Sequence, residues 1–292
     1  MYVSDSKTSL ERLVDLIEVE SIGKDVFRGQ SESIGTSAVF GGQVLGQALM
    51  AANRTAPAGR AVHSIHGYFL LPGGHAPIDY AVEHMRDGGS FSTRRVVARQ
   101  QGTAPIFELL ASYQTLEGGV DRHDPMPPVP GPEGITSESE HRAAIVDRLP
   151  PRLRDIALTP GGIEYRPVIP FDLLDAKPRE ARASIWMRAA GPLGDVPTLH
   201  QALLAYASDH CMLLTATLPH GLSLLRGDVR LASIDHAMWF HRDFRIDEWL
   251  LYHVESPTVQ AGRALCRGAI YTREGHLVAS TMQEGLMRVA AR

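Results

Sequence analysis

Two apolar segments of the chain are rich in alanine and leucine, residues that favour helices. The first is FGGQVLGQALMAANRT, from Phe40 to Thr55, and the second is LHQALLAYASDHCMLLTATLP, from Leu199 to Pro219. Each segment predicts one long helix. The second contains Asp209, whose neighbours three and four residues away on a helix surface carry no charge. This aspartate is either a solvated side chain at the edge of an apolar stripe or a working group beside a cavity.

Strand-like runs follow each predicted helix. They are rich in β-branched and aromatic residues and are separated by glycine or proline. In the first half they are VHSIHGYFL, IDYAVEHMR, SFSTRRVVARQ and IFELLASYQT, and in the second half ASIDHAMWFH, EWLLYHVES, AGRALCRGAIYT and HLVASTMQEGLMR. One long helix followed by antiparallel strands predicts an α+β unit in which a sheet covers the helix. Two such units could pair their sheets edge to edge, which would protect strand edges.

Short matches between the two halves favour an internal duplication. The matches are Gln47-Ala48-Leu49 with Gln201-Ala202-Leu203, Tyr68-Phe69 with Trp239-Phe240, and Arg95 before Ala111-Ser112 with Arg263 before Ala279-Ser280 at equal spacing. Between the halves, residues 117–142 are rich in proline, glycine and acidic residues, as is typical of a connection. We therefore predict an N-terminal unit over residues 1–117, a connection over 118–165 and a C-terminal unit over 166–292.

Composition and charge narrow the functional class. The 292 residues are 44% hydrophobic and 21% charged, which permits one large or two ordinary packed domains. A net charge of −4 argues against a nucleic-acid partner. Cys211 and Cys266 lie in apolar segments without metal-ligand spacing, so neither a disulfide framework nor a metal site is expected. The acidic N-terminus and the lack of a long apolar run predict a cytoplasmic protein with no membrane partner.

The longest sequence blocks resemble a known family. FGGQVLGQAL, VHSIHGYFLLPG, RDGGSFSTRRV and IFELLASYQ are similar to the first half of acyl-CoA thioesterase II, and SIDHAMWFHR, EWLLYHVES and LVASTMQEGLMR to its second half. The resemblance spans about Thr8 to Arg288, apart from the connection. It implies a double hotdog fold, in which each of two tandem units is a curved antiparallel sheet wrapped around a long helix. It also implies hydrolysis of fatty acyl-CoA to a free fatty acid and coenzyme A without a cofactor, and a homo-oligomer formed through the sheets.

The resemblance further implies three residues that hold the attacking water. The family's aspartate matches Asp209, its hydroxyl residue matches Ser233 in place of the threonine of some relatives, and its glutamine matches Gln283. Asp209 would act as general base, with a pKa raised by its partly apolar surroundings. Ser233 and Gln283 would orient water for direct attack on the thioester carbonyl. A backbone N–H at a helix N-terminus or in a loop would polarise that carbonyl. Alone, the serine and the glutamine are ordinary strand residues.

Several other side chains are candidates for substrate contact. Coenzyme A carries several phosphate charges, and arginine suits phosphate recognition. The candidates are Arg94, Arg95, Arg242 and Arg263 for the phosphates and Trp239 for the acyl chain, although a core position is the better expectation for Trp239. The first-half position that matches the catalytic aspartate is about Thr55, so the first unit is expected to be a degenerate repeat without its own catalytic site.

Histidines offer two competing interpretations. His63 and His66 flank Ser64, but adjacent strand residues point to opposite faces and no GxSxG elbow occurs. The spacings of His210, His236 and His241 match no common metal-ligand pattern. Two rival functions stay open beside hydrolysis. One is a hotdog enoyl-CoA hydratase or dehydratase using an Asp–His pair, and the other is a non-catalytic acyl-CoA-binding protein.

Overall fold

The structure is a computed structural model that describes residues 7–102, 104–172 and 174–290. The first half forms, in chain order, α1 Ser9–Ile17, β1 Glu20–Gly23, β2 Val26–Gly29, α2 Gly41–Asn53, β3 Arg60–Phe69, β4 Ile78–Asp87, β5 Phe91–Arg99 and β6 Phe107–Thr115. The next elements are α3 Glu138–Ala144, a 3₁₀ turn Val146–Arg148 and α4 Pro151–Leu158. The second half forms β7 Ile163–Pro167, β8 Arg182–Ala189, α5 Pro197–Ser208, α6 Met212–Thr217, a 3₁₀ turn Leu218–His220, β9 Val229–Ser233, β10 Asp235–Phe240, β11 Leu250–Gln260, β12 Arg263–Thr272 and β13 Leu277–Val289.

The strands of both halves join into one antiparallel sheet. Its order is β1-β2-β4-β5-β6-β3-β10-β13-β12-β11-β8-β7, and β9 pairs with the end of β13. The half-sheets meet where β3 pairs with β10, so each covers the edge that the other would expose. In the first half, α2 packs against β2 to β6, and in the second half α6 packs against β11 to β13. This arrangement confirms the predicted α+β fold of two tandem units with edge-to-edge sheets.

The helices α2 and α5 lie side by side at the centre of the molecule. Glycines on α2 allow this close approach: a Cβ at Gly42 would lie 2.3 Å from the carbonyl oxygen of Tyr206, and one at Gly46 would lie 3.0 Å from that of Ala202. Almost all of α2 is buried. The N-terminus of α2 therefore lies beside the C-terminus of α5.

Strand register confirms the duplication and corrects one of its details. A single row of paired residues crosses the sheet: Glu83, Arg95, Leu110, His66, Ala237, Met282, Arg267 and Glu255. The row ends in a Glu–Arg pair on each side of the β3–β10 junction, Glu83 with Arg95 in the first half and Glu255 with Arg267 in the second. Arg95 thus corresponds to Arg267 and not to Arg263. The equal spacing to Ala111 and Ala279 was a coincidence of sequence.

The predicted helix over Leu199–Pro219 is not continuous. It ends at Ser208 and resumes at Met212, so Asp209 lies at the C-terminal cap of α5. The side chains at the break bond to different elements. Asp209 bonds to residues of β9 and β13, whereas His210 bonds to Glu138. These tertiary contacts occur at a break where sequence periodicity predicts a continuous helix.

The predicted connection over residues 118–165 contains α3, a 3₁₀ turn, α4 and the start of β7. The division into units at these boundaries stays a prediction. The sequence analysis missed the strands β1, β2, β7 and β8, which are short or lie at the outer ends of the sheet. Within the described part of the chain, no helix is both long and apolar enough to cross a membrane.

Candidate active site

The structure brings the three predicted catalytic side chains into direct contact. The Nε2 amide of Gln283 donates to Asp209 Oδ1 at 2.9 Å and to Ser233 Oγ at 2.7 Å. The Ser233 hydroxyl donates to Asp209 Oδ1 at 3.3 Å. Three elements supply the set, namely the end of α5, the end of β9 and the middle of β13. These groups lie 24 to 74 residues apart in sequence, so the contacts depend on the fold.

A buried histidine extends this network, and the sequence analysis did not assign it to the site. His236 Nδ1 lies 3.0 Å from Gln283 Oε1, and His236 Nε2 lies 3.0 Å from Ser208 Oγ. An amide oxygen only accepts, so Nδ1 carries the hydrogen, and in a neutral ring Nε2 is then an acceptor. The one hydroxyl hydrogen of Ser208 lies within reach of both Nε2 and the carbonyl oxygen of Ala205. Burial lowers the pKa of His236, which favours this neutral tautomer. The alternation in IDHAMWF places His236 on the same strand face as buried Met238, and that pattern could have identified it.

Opposing effects act on the ionisation of Asp209. Burial away from water raises the pKa of its carboxyl group. A positive charge on His236 would favour the ionised form, as do the hydrogen bonds from Gln283, Ser233 and the backbone N–H of Gly42, but these effects do not fully offset burial. The carboxylate also lies at the C-terminal end of α5 and faces the N-terminal end of α2, whose partial positive charge favours the anion. The result is a carboxylate that is more basic than an exposed aspartate.

The first residue of α2 fits closely against this carboxylate. A Cβ at Gly41 would lie 2.7 Å from Asp209 Oδ2 and 3.1 Å from the ring of Phe69. Such a contact is too short for a carbon atom, so glycine is needed here for steric reasons. The Gly41-Gly42 pair that follows Phe40 therefore serves close approach to the site.

A cavity of about 1030 Å³ opens beside the network and is shared by the two halves. Asp209, Ser233 and Gln283 line it together with mainly apolar residues. From the first half these include Val39, Phe40, Val44, Phe69, Leu70, Leu71, Ile106 and Phe107, and from the second half Leu213, Leu214, Leu224, Leu231 and Leu286. Arg230 also lines the cavity and is exposed to solvent. The volume and lining suit an apolar chain that ends at the polar network.

Arg94 does not lie in this cavity, and its prediction as a phosphate ligand is wrong. Its side chain is 1% exposed and bonds to the carboxylate of Asp87 and to the carbonyl oxygen of Thr55. These contacts cover all three guanidinium nitrogens within the first unit. Arg94 is therefore a structural residue that fastens the end of α2 to β5.

The other predicted substrate contacts lie outside the cavity lining as well. Arg95 pairs with Glu83 and Glu108, Arg242 with Asp121, and Arg263 with Glu284. Trp239 is 41% exposed on β10, so it is neither a cavity residue nor a core residue. Their assignment as substrate contacts stays a prediction, because residue type alone does not indicate which face of a strand a side chain occupies.

The remaining histidines have other partners. His66 faces Asp235 on the partly exposed side of the β3–β10 junction, and His63 bonds to Ser112. Asp235 and His236 point in opposite directions, because Asp235 bonds to His66 and to the Glu284 N–H. An Asp–His pair made of these neighbours cannot act on one substrate atom.

Glu138 at the start of α3 lies against the break between α5 and α6. Its Oε2 is 2.7 Å from His210 Nε2. One possible metal-ligand atom each from Glu138, His210 and Cys211 lies within 4.8 Å of the other two. The spacing argument against a metal site considered histidines near one another in sequence and therefore missed Glu138.

Comparison with known proteins agrees with this architecture. A family model described as "Acyl-CoA thioesterase" matches residues 176–286, and one described as "Acyl-CoA thioesterase N-terminal domain" matches residues 28–114. Acyl-CoA thioesterase 2 of Haemophilus influenzae is 38% identical over 96% of this chain and 98% of its own length. Acyl-coenzyme A thioesterase 8 of Homo sapiens is 37% identical over 94% of this chain and 88% of its own.

Solved structures lead to the same family. The crystal structure of an acyl-CoA thioesterase II from Mycobacterium marinum superposes with a TM-score of 0.75 at 41% identity, covering 95% of this chain and 98% of that one. A hot dog fold protein from Alicyclobacillus acidocaldarius, 19% identical with a TM-score of 0.73, covers 96% of this chain and 99% of that one and shares the fold. With both halves matched in order and identities near 40% along nearly the whole length, the chain belongs to the acyl-CoA thioesterase family.

Proposed function

We propose that this chain hydrolyses fatty acyl-CoA to a free fatty acid and coenzyme A, with water attacking the thioester directly. The observation that carries the proposal is the Asp209–Ser233–Gln283 network at the wall of a large apolar cavity. Membership in the acyl-CoA thioesterase family supports the reaction class. The network supports the assignment of residues to steps.

Asp209 acts as the general base in this mechanism. Its raised pKa makes it a better proton acceptor than an exposed carboxylate. Water bound at the carboxylate loses a proton to Asp209 as its oxygen bonds to the thioester carbon. The tetrahedral intermediate then expels the thiolate of coenzyme A, and the C–S bond breaks. Asp209 returns its proton to the thiolate or to solvent, which restores the starting state.

Gln283 and Ser233 position the carboxylate and the water. Both amide hydrogens of Gln283 are engaged by Asp209 and Ser233, and its oxygen accepts from His236. The amide is therefore held from both ends and cannot flip without losing bonds. Fixing the reacting groups in this way lowers the entropic part of the barrier, by up to roughly 7–11 kcal/mol in the best cases.

The N-terminus of α2 provides the donors for the carbonyl oxygen. The first N–H groups of a helix have no partner within the helix and carry partial positive charge. The Gly42 N–H favours the anion of Asp209, and Gly41 lines the same cavity. We assign the Gly41 N–H as the donor that stabilises the developing oxyanion.

Recognition of the coenzyme A phosphates falls to the cavity rim. Arg230, on β9, lines the cavity and is exposed to solvent. It lies three residues before Ser233, so a bound thioester could reach the network while its phosphates stay near the surface. Arginine can bond two phosphate oxygens at once.

Self-association through the sheet is the second part of the proposal. Four large apolar side chains are exposed on the strands around the junction, namely Tyr68, Leu110, Trp239 and Met282, each 40% to 50% exposed. A patch beside a nearly symmetric junction is suited to contact a second copy of the same surface. Sedimentation of the parent and of Trp239→Glu would test this, since a charge in the patch should dissociate the assembly. Residence in the cytoplasm stays a prediction from the sequence.

The experiment follows coenzyme A release with a thiol-reactive dye across short, medium, long and branched acyl-CoAs, and hydration of an enoyl-CoA in a parallel assay. Hydrolysis of some chain lengths without hydration supports the proposal and maps the specificity. Hydration without coenzyme A release would replace it with the hydratase alternative. Tight binding without either reaction would leave an acyl-CoA-binding protein.

A further inference from the structure

A second group of reactive side chains lies next to the candidate active site. The proposed mechanism gives it no role, although one of its members, His210, also lines the larger cavity. We call Glu138, His210 and Cys211 the Glu138 cluster. One ligand atom from each lies within 4.8 Å of the others. Glu138 and His210 are about one quarter exposed, and Cys211 is buried. Carboxylate, imidazole and thiolate are the three side-chain ligands that zinc prefers.

The charges and supports of the cluster suit a divalent cation. A carboxylate and a thiolate together supply two negative charges, and a neutral imidazole supplies the third donor. The ring of His210 stacks on Tyr165, with centroids 4.2 Å apart and planes at 18°, which fixes its orientation. Glu138 is the first residue of α3 and is held by a capping box formed by Ser137 and Glu140. Ligands held by surrounding structure are the condition for tight metal binding.

A route from solvent to the cluster is present. A cavity of about 270 Å³ is lined by Glu138 and Cys211 and bounded by His141 and Arg142. The Nε of Arg142 is buried without a hydrogen-bond partner in the described structure, and its guanidinium lies 3.9 Å from Glu138. Arg142 therefore competes only weakly for the carboxylate, whose close partner is His210, another member of the cluster. With three protein donors, the fourth position of a tetrahedral ion would face this cavity and hold water.

The position of the cluster couples it to Asp209. His210 and Cys211 follow Asp209 directly, in the break between α5 and α6. His210 Nε2 and Glu138 Oε2 are 2.7 Å apart, whereas two such ligands on one tetrahedral zinc lie roughly 3.3 Å apart. Binding must therefore move the His210 ring or the carboxylate by about half an ångström. A displacement of this size beside a catalytic base matters, because misplacement by about 1 Å costs on the order of a hundredfold in rate.

We propose that Glu138, His210 and Cys211 form a site for one Zn²⁺ ion, and that an occupied site slows thioester hydrolysis by displacing Asp209. Zinc replaces the thiol proton of Cys211 and any proton between His210 and Glu138, and these protons pass to solvent. No oxidation or reduction takes place. The binding part stands independently of the proposed function, and the inhibitory part rests on it.

The test uses reduced, chelator-treated full-length protein and titrates it with Cd²⁺, which reports thiolate ligation through an ultraviolet charge-transfer band. The expected result is a band that saturates at one Cd²⁺ per chain and is removed by Zn²⁺. Cys211→Ser should abolish the band. Cys266→Ser, which removes the other buried cysteine on β12, should leave it unchanged. No band in the parent, or a band lost only in Cys266→Ser, would overturn the proposal.

Glu138→Gln separates ligation from disturbed folding, because it removes one charge from a helix that does not line the larger cavity. It should weaken Zn²⁺ binding more than about tenfold, since even indirect metal partners contribute about 10–100-fold. Without metal, its rate of coenzyme A release should equal that of the parent. Zn²⁺ should slow the parent about tenfold and have little effect on Glu138→Gln. Stoichiometric binding without inhibition would refute the coupling, and binding by a chain that never releases coenzyme A would refute only the proposed function.

Discussion

The two halves of the sheet have the same strand arrangement and differ in the side chains on their inner faces. The row of paired residues across the sheet matches Leu110 with Met282 and His66 with Ala237. Their neighbours in the chain correspond in the same way, so Gln283 occupies the position of Ala111 and His236 that of Ile65. All four side chains point inward and are almost fully buried. The first half fills these positions with carbon, whereas the second half fills them with hydrogen-bonding groups. Duplication therefore supplied the scaffold, and a few inward substitutions distinguish a packed core from a polar site.

The end of the central helix shows the same contrast. At the end of α2, the carbonyl and hydroxyl of Thr55 bond to the buried guanidinium of Arg94. At the end of α5, Asp209 bonds to an amide and a hydroxyl and faces a cavity. The Arg94 guanidinium, which is neutralised by Asp87, therefore holds the end of the first helix in place. The second helix instead ends in a partly desolvated anion, a costly arrangement that is consistent with a functional role.

The largest effect should come from removing the carboxylate. Asp209→Asn keeps the shape of the side chain but cannot accept the proton, so kcat should fall by about 10²–10⁴-fold. Asp79→Asn, which removes a partly exposed carboxylate paired with Arg28 in the first half, serves as the control and should leave kcat within about twofold. Coenzyme A release and thermal melting would be measured for both. Comparable rates for folded Asp209→Asn and the parent would refute the assignment.

Converting the second half toward the first should have the next largest effect. Gln283→Ala reproduces Ala111 and leaves Asp209 and Ser233 without their shared donor. We expect kcat to fall about a hundredfold. Gln283→Glu keeps the size but places a second carboxylate against Asp209, so its loss should be at least as large near neutral pH. An active, folded Gln283→Ala would show that the amide is structural only.

His236 should have a smaller, indirect effect as a positioning residue. His236→Ile reproduces Ile65 and removes the donor to Gln283 Oε1, so kcat should fall about tenfold with KM nearly unchanged. His236→Asn retains a donor near the position of Nδ1 and should restore most of the rate. Steady-state kinetics of both variants provide the check. If Asn fails to rescue kcat although both variants fold, packing rather than hydrogen bonding explains the loss.

The first-half counterpart should affect stability and not catalysis. Arg94→Met removes a buried guanidinium that fastens the end of α2. We expect a loss on the order of 2 kcal/mol in the free energy of unfolding, below the about 3–5 of a fully buried pair because Asp87 reaches solvent. Urea unfolding would measure this, and kcat and KM should stay within about twofold. A selective rise in KM for acyl-CoA would instead return Arg94 to the phosphate site.

The sequence predicted regular elements well and contacts across elements poorly. Strands β3 to β6 and β10 to β13 follow the β-branched and aromatic runs, because alternation directly reflects one buried face. The break after Ser208 could not be predicted, since it depends on partners from β9, β13 and α3. Local periodicity therefore favoured a continuous helix.

The candidate site was found by resemblance and only partly by physics. Asp209, Ser233 and Gln283 followed from matched blocks, and their contact is a property of the fold. Buried His236 could have been inferred from alternation, but Glu138 lies 72 residues from His210 and carried no signal in sequence. Buried Arg94 was misassigned because structural arginines and ligand-binding arginines look alike in sequence.

The pH dependence of hydrolysis by parent and Asp209→Asn tests the central claim most directly. An acyl thioester of N-acetylcysteamine is the suitable substrate, because it lacks the phosphates whose titration would mix with that of the enzyme. Burial raises the pKa of Asp209 above the ordinary 3.8, and only its ionised form accepts a proton. As pH falls, kcat/KM of the parent should therefore decline at a pH above 3.8, and the residual rate of Asp209→Asn should lack this decline. If the folded Asp209→Asn variant shows the same decline at low pH, the titrating base is another group, and the assignment of Asp209 as general base is contradicted.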